Sequence, residues 1–595
     1  MNPEAAAVNK AFDLTPADKE IALELESLCR LYKLSAKDLS YKWQAFTMNT
    51  TQGRIKKPTK ELARQLKLDL QREYERKLQA RPAQATPMQL DFTDFAPSAG
   101  DSGDLVGDVV AQLFANNTQP SRPKPRAAAP RSVARGQPHT IESQHNPHLL
   151  VRGNVASDAP RVHIQRSISG NTRPFRYMFE KINDRSEALD ERIDFIADAI
   201  EEAHGLENRL QNPTRAHQSE IHAVGRIRCD AAEGKLNEAS LLFETSREVG
   251  MGKCVKLNVR QLDDYSLFPG QIIGFEGINS TGQEFVARKI LSPPLPPKDS
   301  EPSKDNEEKI IEVKPDDLYR YNYGPLMQGK PMELFVAAGP YTMDTNLEYA
   351  PLHALIEECV AQKPDVVIML GPFVSAHHPA IVDGTVDQLP EDIFAEKVAP
   401  LLAHLLENSP ITRILLVPHQ DDLLHTHPVL PQPAPQLDAL TDLARIEILS
   451  NPAKVFINGC LFAFNNTDVL KHISGEEVSK SSAQTDRMAR LCRHLLEQRS
   501  FYPLFPSAPG VNIDSDRLTD LMIKKRPDVL VCPSQLKQFA RVVDTSLCVN
   551  PGMLCRGQAF GTYVRLIVHP LPNRGGSVGS DANVVDRTRV DIIKL

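Results

Sequence analysis

The feature that most limits how this chain can fold is a regular alternation of apolar strands and amphipathic helices from Pro331 onward. Apolar runs such as MELFVAAG, DVVIMLG and RILLVPH alternate with helical patterns such as APLHALIEECVAQ and DRMARLCRHLLEQ. Continuous apolar runs predict strands buried on both faces, which requires helices on each side of a sheet. The late segment LCVNPGMLCRGQAFGTYVRLIVH predicts two more strands that close the sheet. We therefore predict an α/β domain over residues 307–595.

The preceding part of the chain divides into four segments by composition. Residues 1–80 show helical apolar spacing and predict a helical module with Trp43, the only tryptophan, in its core. Residues 81–171 lose that spacing and are rich in Pro, Ala, Ser, Gln and Gly, which predicts a disordered tether. Residues 172–206 form a further helical segment. Residues 207–306 hold several strand patterns. The Pro- and Glu-rich SPPLPPKDSEPSKDNEEK, residues 292–309, crosses the boundary to the α/β domain and is an expected exposed loop or linker.

The strand patterns between residues 222 and 291 predict a small β-barrel, with an OB-fold as the leading candidate. A barrel that binds single-stranded DNA needs a basic groove and exposed aromatic side chains. This stretch carries nine Lys+Arg and nine Asp+Glu, so its net charge gives no such groove. We interpret its aromatic residues as barrel core rather than as a base-stacking platform: Tyr265, Phe268, Phe275 and Phe285. Direct DNA binding is expected to be weak or absent.

Composition narrows the remaining classes of function. The chain has 69 Lys+Arg against 76 Asp+Glu, and a formal charge of -7 offers no global attraction to nucleic acid. Its nine scattered cysteines include no C-x-x-C pair, as expected of reduced thiols in a nuclear or cytosolic protein. Neither a signal peptide nor a long apolar run is present, so we expect no membrane segment. The basic cluster between Arg122 and Arg135 fits a nuclear-import or nucleic-acid patch and a solvated linker equally well.

The strand ends of the α/β domain are where reactive groups are expected, and they lack the carboxylates that a metal site needs. They read AAGPYT, MLGPFVSAHHP, LVPHQDD and VCPSQL, followed by VNPG. This order resembles the calcineurin-like metallophosphoesterases, whose motifs are D-x-H, G-D-x-x-D, G-N-H and G-H-x-H. The positions of the ligands in those motifs are occupied here by Gly339, Tyr341, Pro372, Ser375, Pro418, Pro533 and Gln535. Only His419 keeps a side chain that can bind metal, and one histidine cannot hold two cations. We therefore expect an inactive phosphoesterase-like domain with no catalytic, cofactor-binding or metal-binding residues.

A second resemblance covers residues 222–595. The segments LFPGQ, EGINSTG, GPYT, GPF, FINGCLF, QRSFYPLFP and VNPG match, in this order along the chain, the B subunits of eukaryotic replicative DNA polymerases. The N-terminal L-x-x-K-W-x-A-F stretch and the long tether resemble the alpha branch of that family.

This resemblance implies a non-catalytic scaffold subunit of the nuclear DNA polymerase alpha–primase complex, which supports primer synthesis at the start of DNA replication. The implied partners are the C-terminal domain of the polymerase catalytic subunit and, through the complex, the primase subunits. The N-terminal module is a candidate for contacts with other replisome proteins. We expect no cofactor, and we expect removal of residues 1–170 to leave the contact with the catalytic subunit intact.

Three alternative functions can be distinguished. An active metal-dependent phosphoesterase would use the histidines and aspartates that cluster in HHP and HQDDLLHTHP: His377, His378, His419, Asp421, Asp422, His425 and His427. These lie in polar, proline-flanked loops, with no general acid or phosphate clamp apparent. A single-stranded DNA-binding protein would need the basic barrel that is missing. The corresponding B subunits of other replicative polymerases would not carry this N-terminal module.

Overall fold

A computed structural model of the chain divides into two compact units, residues 1–127 and residues 128–595. The structure describes residues 25, 37, 39–43, 46 and 66 of the first unit, and residues 139–153, 157–167, 172–206, 210–231, 234–298, 315–481, 486–574, 577–578 and 583–595 of the second. No helix in these ranges is both long and apolar enough to cross a membrane.

In the first unit, every described residue is helical. Leu25, Leu39, Trp43 and Leu66 are buried, and the Trp43 ring lies 6.3 Å from the ring of Phe46. The interpretation of Trp43 as a core residue is therefore confirmed. The rest of the predicted helical module, and the predicted tether up to residue 138, lie outside the described residues.

The second unit contains all the described strands and the helices named below. Its strands are β1 (Ile141–His145), β2 (Ile164–Arg166), β3 (Ile221–Cys229), β4 (Leu241–Glu244), β5 (Cys254–Asn258), β6 (Tyr265–Leu267), β7 (Ile272–Ile278), β8 (Glu284–Leu291), β9 (Met332–Ala338), β10 (Val366–Leu370), β11 (Arg413–Val417), β12 (Ile446–Ile448), β13 (Ala453–Ile457), β14 (Cys460–Phe464), β15 (Val478–Lys480), β16 (Val529–Val531), β17 (Phe539–Val543), β18 (Ser546–Asn550), β19 (Cys555–Arg556), β20 (Ala559–Phe560), β21 (Thr562–Val568), β22 (Asn573–Arg574), β23 (Ser577–Val578) and β24 (Thr588–Lys594). Its α-helices are α1 (Ile182–His204), α2 (Arg247–Gly250), α3 (Pro315–Tyr323), α4 (Ala350–Gln362), α5 (Pro379–Val382), α6 (Pro390–Ile393), α7 (Ala399–Asn408), α8 (Val469–Glu476) and α9 (Arg487–Glu497).

Strands β3, β4, β5, β8 and β7 close into the predicted five-stranded barrel, with β5 and β8 parallel and the other pairs antiparallel. Phe275 and Phe285 are fully buried in the barrel, where each ring contacts Phe243. Tyr265 is also buried in the barrel core. Phe268 is buried instead in the core of the α/β domain, where its ring contacts His494. The interpretation as barrel core is therefore confirmed for Tyr265, Phe275 and Phe285 and wrong for Phe268, and none of the four is free to stack on a base. Helix α1 covers one face of the barrel through its apolar stripe.

The α/β part holds two sheets packed face to face, rather than the single sheet that the alternation of elements predicted. One has seven strands in the order β1-β24-β21-β9-β10-β11-β12, and the other has six in the order β17-β18-β16-β14-β13-β2. Val336, Ile368 and Phe462 lie in the core between the sheets. Phe335, on the opposite face of its strand, packs on α4 and α7, and Leu530 of the second sheet packs on α8 and α9. Both sheets are therefore buried on both faces, as predicted.

The predicted tether over residues 81–171 is wrong for its last part, because residues 139–153 and 157–167 belong to the α/β fold. Strand β1 pairs antiparallel with β24, and β2 pairs antiparallel with β13, so this segment supplies an edge strand to each sheet. Between the two strands, Arg152 and Arg161 reach the buried carboxylate of Asp365. These contacts are polar and join residues more than 200 positions apart. Apolar periodicity therefore gives no sign of them.

The proline-rich stretch after the barrel is also more closely packed than predicted. Pro296 and Pro297 accept hydrogen bonds from the side chain and the backbone of Arg526, respectively, and Leu295 packs against the core beneath the second sheet. Residues 293–298 are therefore part of the packed structure rather than an exposed loop. The remainder of the predicted loop or linker, residues 299–309, lies outside the described residues.

Candidate functional site

The ends of β9, β10, β11 and β16 meet at one cleft of ≈ 460 Å³, as the sequence order of the strand ends predicted. Parallel strands bring their carboxyl ends to the same edge of a sheet, and here both sheets contribute. Six of the eight positions matched to phosphoesterase ligands line this cleft: Gly339, Pro372, Ser375, His419, Pro533 and Gln535. Tyr341 and Pro418 lie outside its lining.

Gly339 has no room for a side chain. A Cβ atom at this position would lie 2.3 Å from the carbonyl oxygen of Pro372 and 3.0 Å from its nitrogen. Real Cβ atoms do not approach a backbone oxygen so closely, so the loops after β9 and β10 pack directly on each other. An aspartate could occupy this position only if that packing were opened.

Tyr341 is turned away from the cleft and into the core. Its hydroxyl donates to the carbonyl oxygens of Ala337 (3.2 Å) and Leu370 (3.0 Å), and its ring stacks on Phe373 with centroids 5.4 Å apart. Burial, reinforced by the charge of Asp422, raises the pKa of Tyr341 well above its usual value. This side chain therefore ties the ends of two strands together as a neutral phenol.

His419 faces the cleft beside Asp421, but its ring is already engaged. Nδ1 accepts a hydrogen bond from the backbone N–H of Asp421 (3.0 Å), so that nitrogen carries no proton. Burial lowers the pKa of His419, and the nearby charge of Asp421 opposes this shift only in part. His377 lies on the other side of Asp421, with 3.5 Å between Nε2 and Oδ2. His419 is thus a neutral imidazole that braces the turn after β11.

Four of the seven histidines and aspartates that could have formed a metal site serve as structural hydrogen-bonding groups instead. Asp422 is buried and accepts from the backbone N–H groups of Phe373 (2.6 Å), Val374 and Leu424, while burial raises its pKa to about 6. The histidine contacts join each ring to backbone groups: His378 to Met343 and Ala380, His425 to Pro433 and His427, and His427 to Phe175. Only His377, His419 and Asp421 of the seven line the cleft.

The opposite wall of the cleft is built on Asp468, which caps the N-terminus of α8. Its carboxylate accepts from the backbone N–H of Gln535 (2.9 Å) and from the hydroxyl of Ser534. The ammonium group of Lys471 donates to the side-chain oxygen of Gln535. Asp468 and Lys471 therefore hold the turn after β16 in place.

A buried amide network beneath the cleft was not predicted. Asn466 donates from Nδ2 to the carbonyl oxygens of Gly371 (3.1 Å) and Pro418 (2.9 Å), joining the turns after β10 and β11. Asn451 accepts from the backbone N–H of Asn466 and donates to Gln432 (3.0 Å). All three amides are almost fully buried. Single asparagines in loops give no periodic signal, so sequence reasoning had no means of finding them.

Within the described ranges, one group of three potential ligand atoms lies close enough together to share a cation, formed by Glu180, Asp514 and Asp516. It lies away from the strand-end cleft, and none of the seven candidate residues belongs to it. The cleft thus lies at the strand ends. A two-metal centre needs free carboxylates and imidazoles there, but these positions hold prolines, glycines and side chains already engaged in hydrogen bonds.

Comparison with known proteins agrees with this architecture. A family described as the B subunit of DNA polymerase alpha/epsilon matches residues 334–541, and a family described as the OB domain of the DNA polymerase alpha B subunit matches residues 186–293. The second match confirms the OB-fold.

Three relatives, each named as the B subunit of DNA polymerase alpha, illustrate the similarity. That of Schizosaccharomyces pombe is 28% identical, over 97% of this chain and 99% of its own length. That of Rattus norvegicus is 32% identical, over 69% of this chain and 64% of its own, so less than two thirds of the rat protein is covered. That of Saccharomyces cerevisiae is 28% identical over 77% and 70%. The chain belongs to the family of DNA polymerase alpha B subunits.

Proposed function

We propose that this chain is the non-catalytic regulatory subunit of a nuclear DNA polymerase alpha–primase complex. In this proposal the barrel and the α/β domain act as one rigid body that holds the C-terminal domain of the polymerase catalytic subunit, and the primase subunits are reached through the complex. The main support for the proposal is the joint between the barrel and the α/β domain, by which we mean the hydrogen bonds, ion pairs and close backbone contact that fix the two domains to each other. A shared binding surface needs such a joint, because two loosely linked domains would lose orientational entropy on binding.

The centre of the joint is a buried amide that completes a barrel strand. Gln498, just after α9, accepts from the backbone N–H of Ile272 (2.8 Å) and donates to its carbonyl oxygen (2.7 Å). The side chain of Gln498 therefore pairs with the first residue of β7 as a neighbouring strand would. Gln498 is 1% exposed, so these two hydrogen bonds are shielded from water.

An ionic cluster lies beside this amide. Glu477 accepts from Arg490 (2.9 Å) and His494 (3.2 Å) of α9 and from the hydroxyl of Ser266 in the barrel strand β6. Burial alone would raise the pKa of Glu477, but these hydrogen bonds outweigh it and hold the pKa well below the usual range. The carboxylate is thus ionised at neutral pH. Strand β15, which follows Glu477, pairs antiparallel with β6 and extends the contact.

A third contact depends on a glycine in a left-handed conformation. Gly270 has φ +90° and lies so close to the α/β domain that a Cβ atom would be 2.4 Å from the nitrogen of Phe505. The carbonyl of Pro269 accepts a hydrogen bond from that nitrogen (3.1 Å). The segments LFPGQ and QRSFYPLFP, which carried part of the family resemblance, therefore meet each other at this joint.

Replacing Gln498 with leucine should weaken the joint without emptying the core. The backbone N–H and C=O of Ile272 would lose their partner, which costs about 2–3 kcal/mol of unfolding free energy. We expect the variant to bind the recombinant C-terminal domain of the catalytic subunit more weakly than the original chain does, as measured by titration. The exposed Gln388→Leu variant is the matched control and should bind normally. Undiminished binding by a Gln498→Leu chain whose stability has fallen would argue against a shared surface.

The proposed lack of catalysis has its own test. Metal-dependent hydrolysis needs several charged or imidazole ligands that converge on the cations, and the cleft offers only His377, His419 and Asp421 of the candidate set. We expect the purified chain to contain no stoichiometric zinc or manganese by elemental analysis and to leave bis-p-nitrophenyl phosphate intact. His419→Ala should retain binding to the catalytic subunit. Two equivalents of metal, together with hydrolysis that His419→Ala abolishes, would make the chain a phosphoesterase.

A further inference from the structure

A second cleft lies where α1, the barrel and the α/β domain meet, and Val511 is the one lining residue that it shares with the strand-end cleft. Its volume is ≈ 290 Å³. The walls include the apolar side chains Leu189, Val429, Leu504, Phe505 and Leu518, and three guanidinium groups: Arg185, Arg192 and Arg226. We call it the arginine cleft.

Arg192 is the unusual member of this set. It donates from Nη1 to the hydroxyl of Ser500 (3.0 Å) and from Nη2 to the carbonyl oxygen of Gln498 (3.1 Å). Within the part of the chain that the structure describes, no carboxylate oxygen lies within 4.0 Å of the Arg192 guanidinium, the distance limit for an ion pair. Burial lowers the pKa of Arg192 to about 10, and the charge of Arg226 acts in the same direction. The group still carries a full positive charge at neutral pH.

The ion pairs around the cleft are formed by other arginines. Arg226 is paired with Glu244, at 3.3 Å, but the same carboxylate also pairs with Arg228 at 3.0 Å. Arg185 lies 3.9 Å from Glu180 and is half exposed. Glu244 therefore forms ion pairs with two arginines, and Arg192 has no ion-pair partner among the described residues.

A guanidinium in an apolar cleft without a counter-ion costs free energy, and a well-placed anion that forms charge-assisted hydrogen bonds with it offsets part of that cost. We propose that the arginine cleft binds one carboxylate side chain, carried by an apolar segment of a partner protein, with Arg192 as its principal contact. The Arg192 guanidinium forms the ion pair with the partner's carboxylate, and the apolar walls of the cleft contact the rest of the partner's segment. The cleft adjoins the joint, because Gly270 and Phe505 line it and Arg192 donates to Gln498. The proposed function assigns it no ligand, so this inference goes beyond that function.

The surroundings favour a protein carboxylate over a nucleic-acid phosphate. Glu180 and Asp514 line the cleft, and their oxygens lie with one of Asp516 within 4.8 Å of one another. A DNA or RNA strand carries a charge on every nucleotide, so its neighbouring phosphates would meet these acids. A single carboxylate on an apolar segment avoids that repulsion. Met178, which is 79% exposed at the cleft, offers such a segment additional apolar contact.

Three small probes can test the proposal on the full-length chain. Hexanoate carries one carboxylate on an apolar tail, hexylammonium is its counterpart of opposite charge, and inorganic phosphate represents a nucleic-acid backbone. A ligand of the folded state raises the melting temperature, and the rise grows with its affinity. We expect hexanoate to raise it and hexylammonium to leave it unchanged.

Arg192→Gln should weaken hexanoate binding about tenfold or more, because a charge-assisted hydrogen bond is lost. Arg493→Gln removes an arginine of α9 that is half exposed and should bind hexanoate like the original chain. If Arg192→Gln does not fold, Arg192→Lys takes its place, since it keeps the charge but loses the paired guanidinium geometry.

Two results would overturn the proposal. In one, hexanoate has no effect, or has the same effect on the Arg192 variant. In the other, phosphate stabilises the chain more than hexanoate does and needs Arg192 for it, which would assign the cleft to a phosphate backbone.

Discussion

Replacing Asp365 with asparagine should lower the free energy of unfolding of the α/β domain by about 3–5 kcal/mol, the usual cost of leaving a buried charge without its partner. Asp365 is fully buried and accepts from Arg161 through two hydrogen bonds of 2.8 Å and from Arg152 at 2.9 Å. It also accepts from the backbone N–H of Glu333 (2.9 Å). An asparagine has nearly the same size but carries no charge. Arg161 would therefore lose its ion pair, and Arg152 would keep only Glu333, which also pairs with Arg565.

The measurement is equilibrium unfolding in urea, monitored on the full-length chain. Asp442→Asn is the control, because it makes the same chemical change at an exposed position. We expect its effect to stay within about 0.5 kcal/mol. Equal stabilities for the two variants would mean that the arginines of residues 139–167 contribute nothing to the fold.

The ion pairs of Asp365 with Arg152 and Arg161 also change what we expect of chains shortened at the N-terminus. A deletion that ends at residue 170 removes β1, β2, Arg152 and Arg161, and it leaves Asp365 and Glu333 buried beside only Arg565. The expectation that such a chain keeps its partner contact rested on a tether that extends to residue 171. A deletion intended to remove only the N-terminal module and the tether should therefore end before residue 139.

Much of the fold follows from local patterns because apolar periodicity records burial. The barrel strands, the apolar strands β9, β10 and β11, and the helix α9 all lie where the sequence predicted them. The convergence of Gly339, Pro372, His419 and Pro533 on one cleft follows from the rule that parallel strands end at the same edge. These features need no knowledge of which distant residues touch.

Polar contacts between distant residues were beyond such reasoning. Arg161 and Asp365 are 204 positions apart, and Asn466 and Gly371 are 95 apart, yet each pair meets in the core. Taken alone, an arginine in a proline-rich segment or an asparagine in a loop is typical of solvent-exposed chain. The division of the strands into two sheets has the same origin, because alternating elements specify burial but not which strand pairs with which.

The largest effect within the strand-end cleft should come from restoring an acid at the first ligand position. In Gly339→Asp the new Cβ would lie 2.3 Å from the carbonyl oxygen of Pro372, so the turns after β9 and β10 would have to separate. Overpacking against backbone is costly, and we expect a loss of more than about 3 kcal/mol of unfolding free energy, with no gain of bound metal.

Ser375→Asp is the matched control: it adds the same charge to the same cleft at a residue that already has a Cβ, and it should cost less than about 1 kcal/mol. Urea unfolding and elemental analysis of both variants decide the matter. A Gly339→Asp chain as stable as Ser375→Asp would show that the packing of these turns is no barrier to a ligand, and that the absence of an acid at residue 339 needs another explanation.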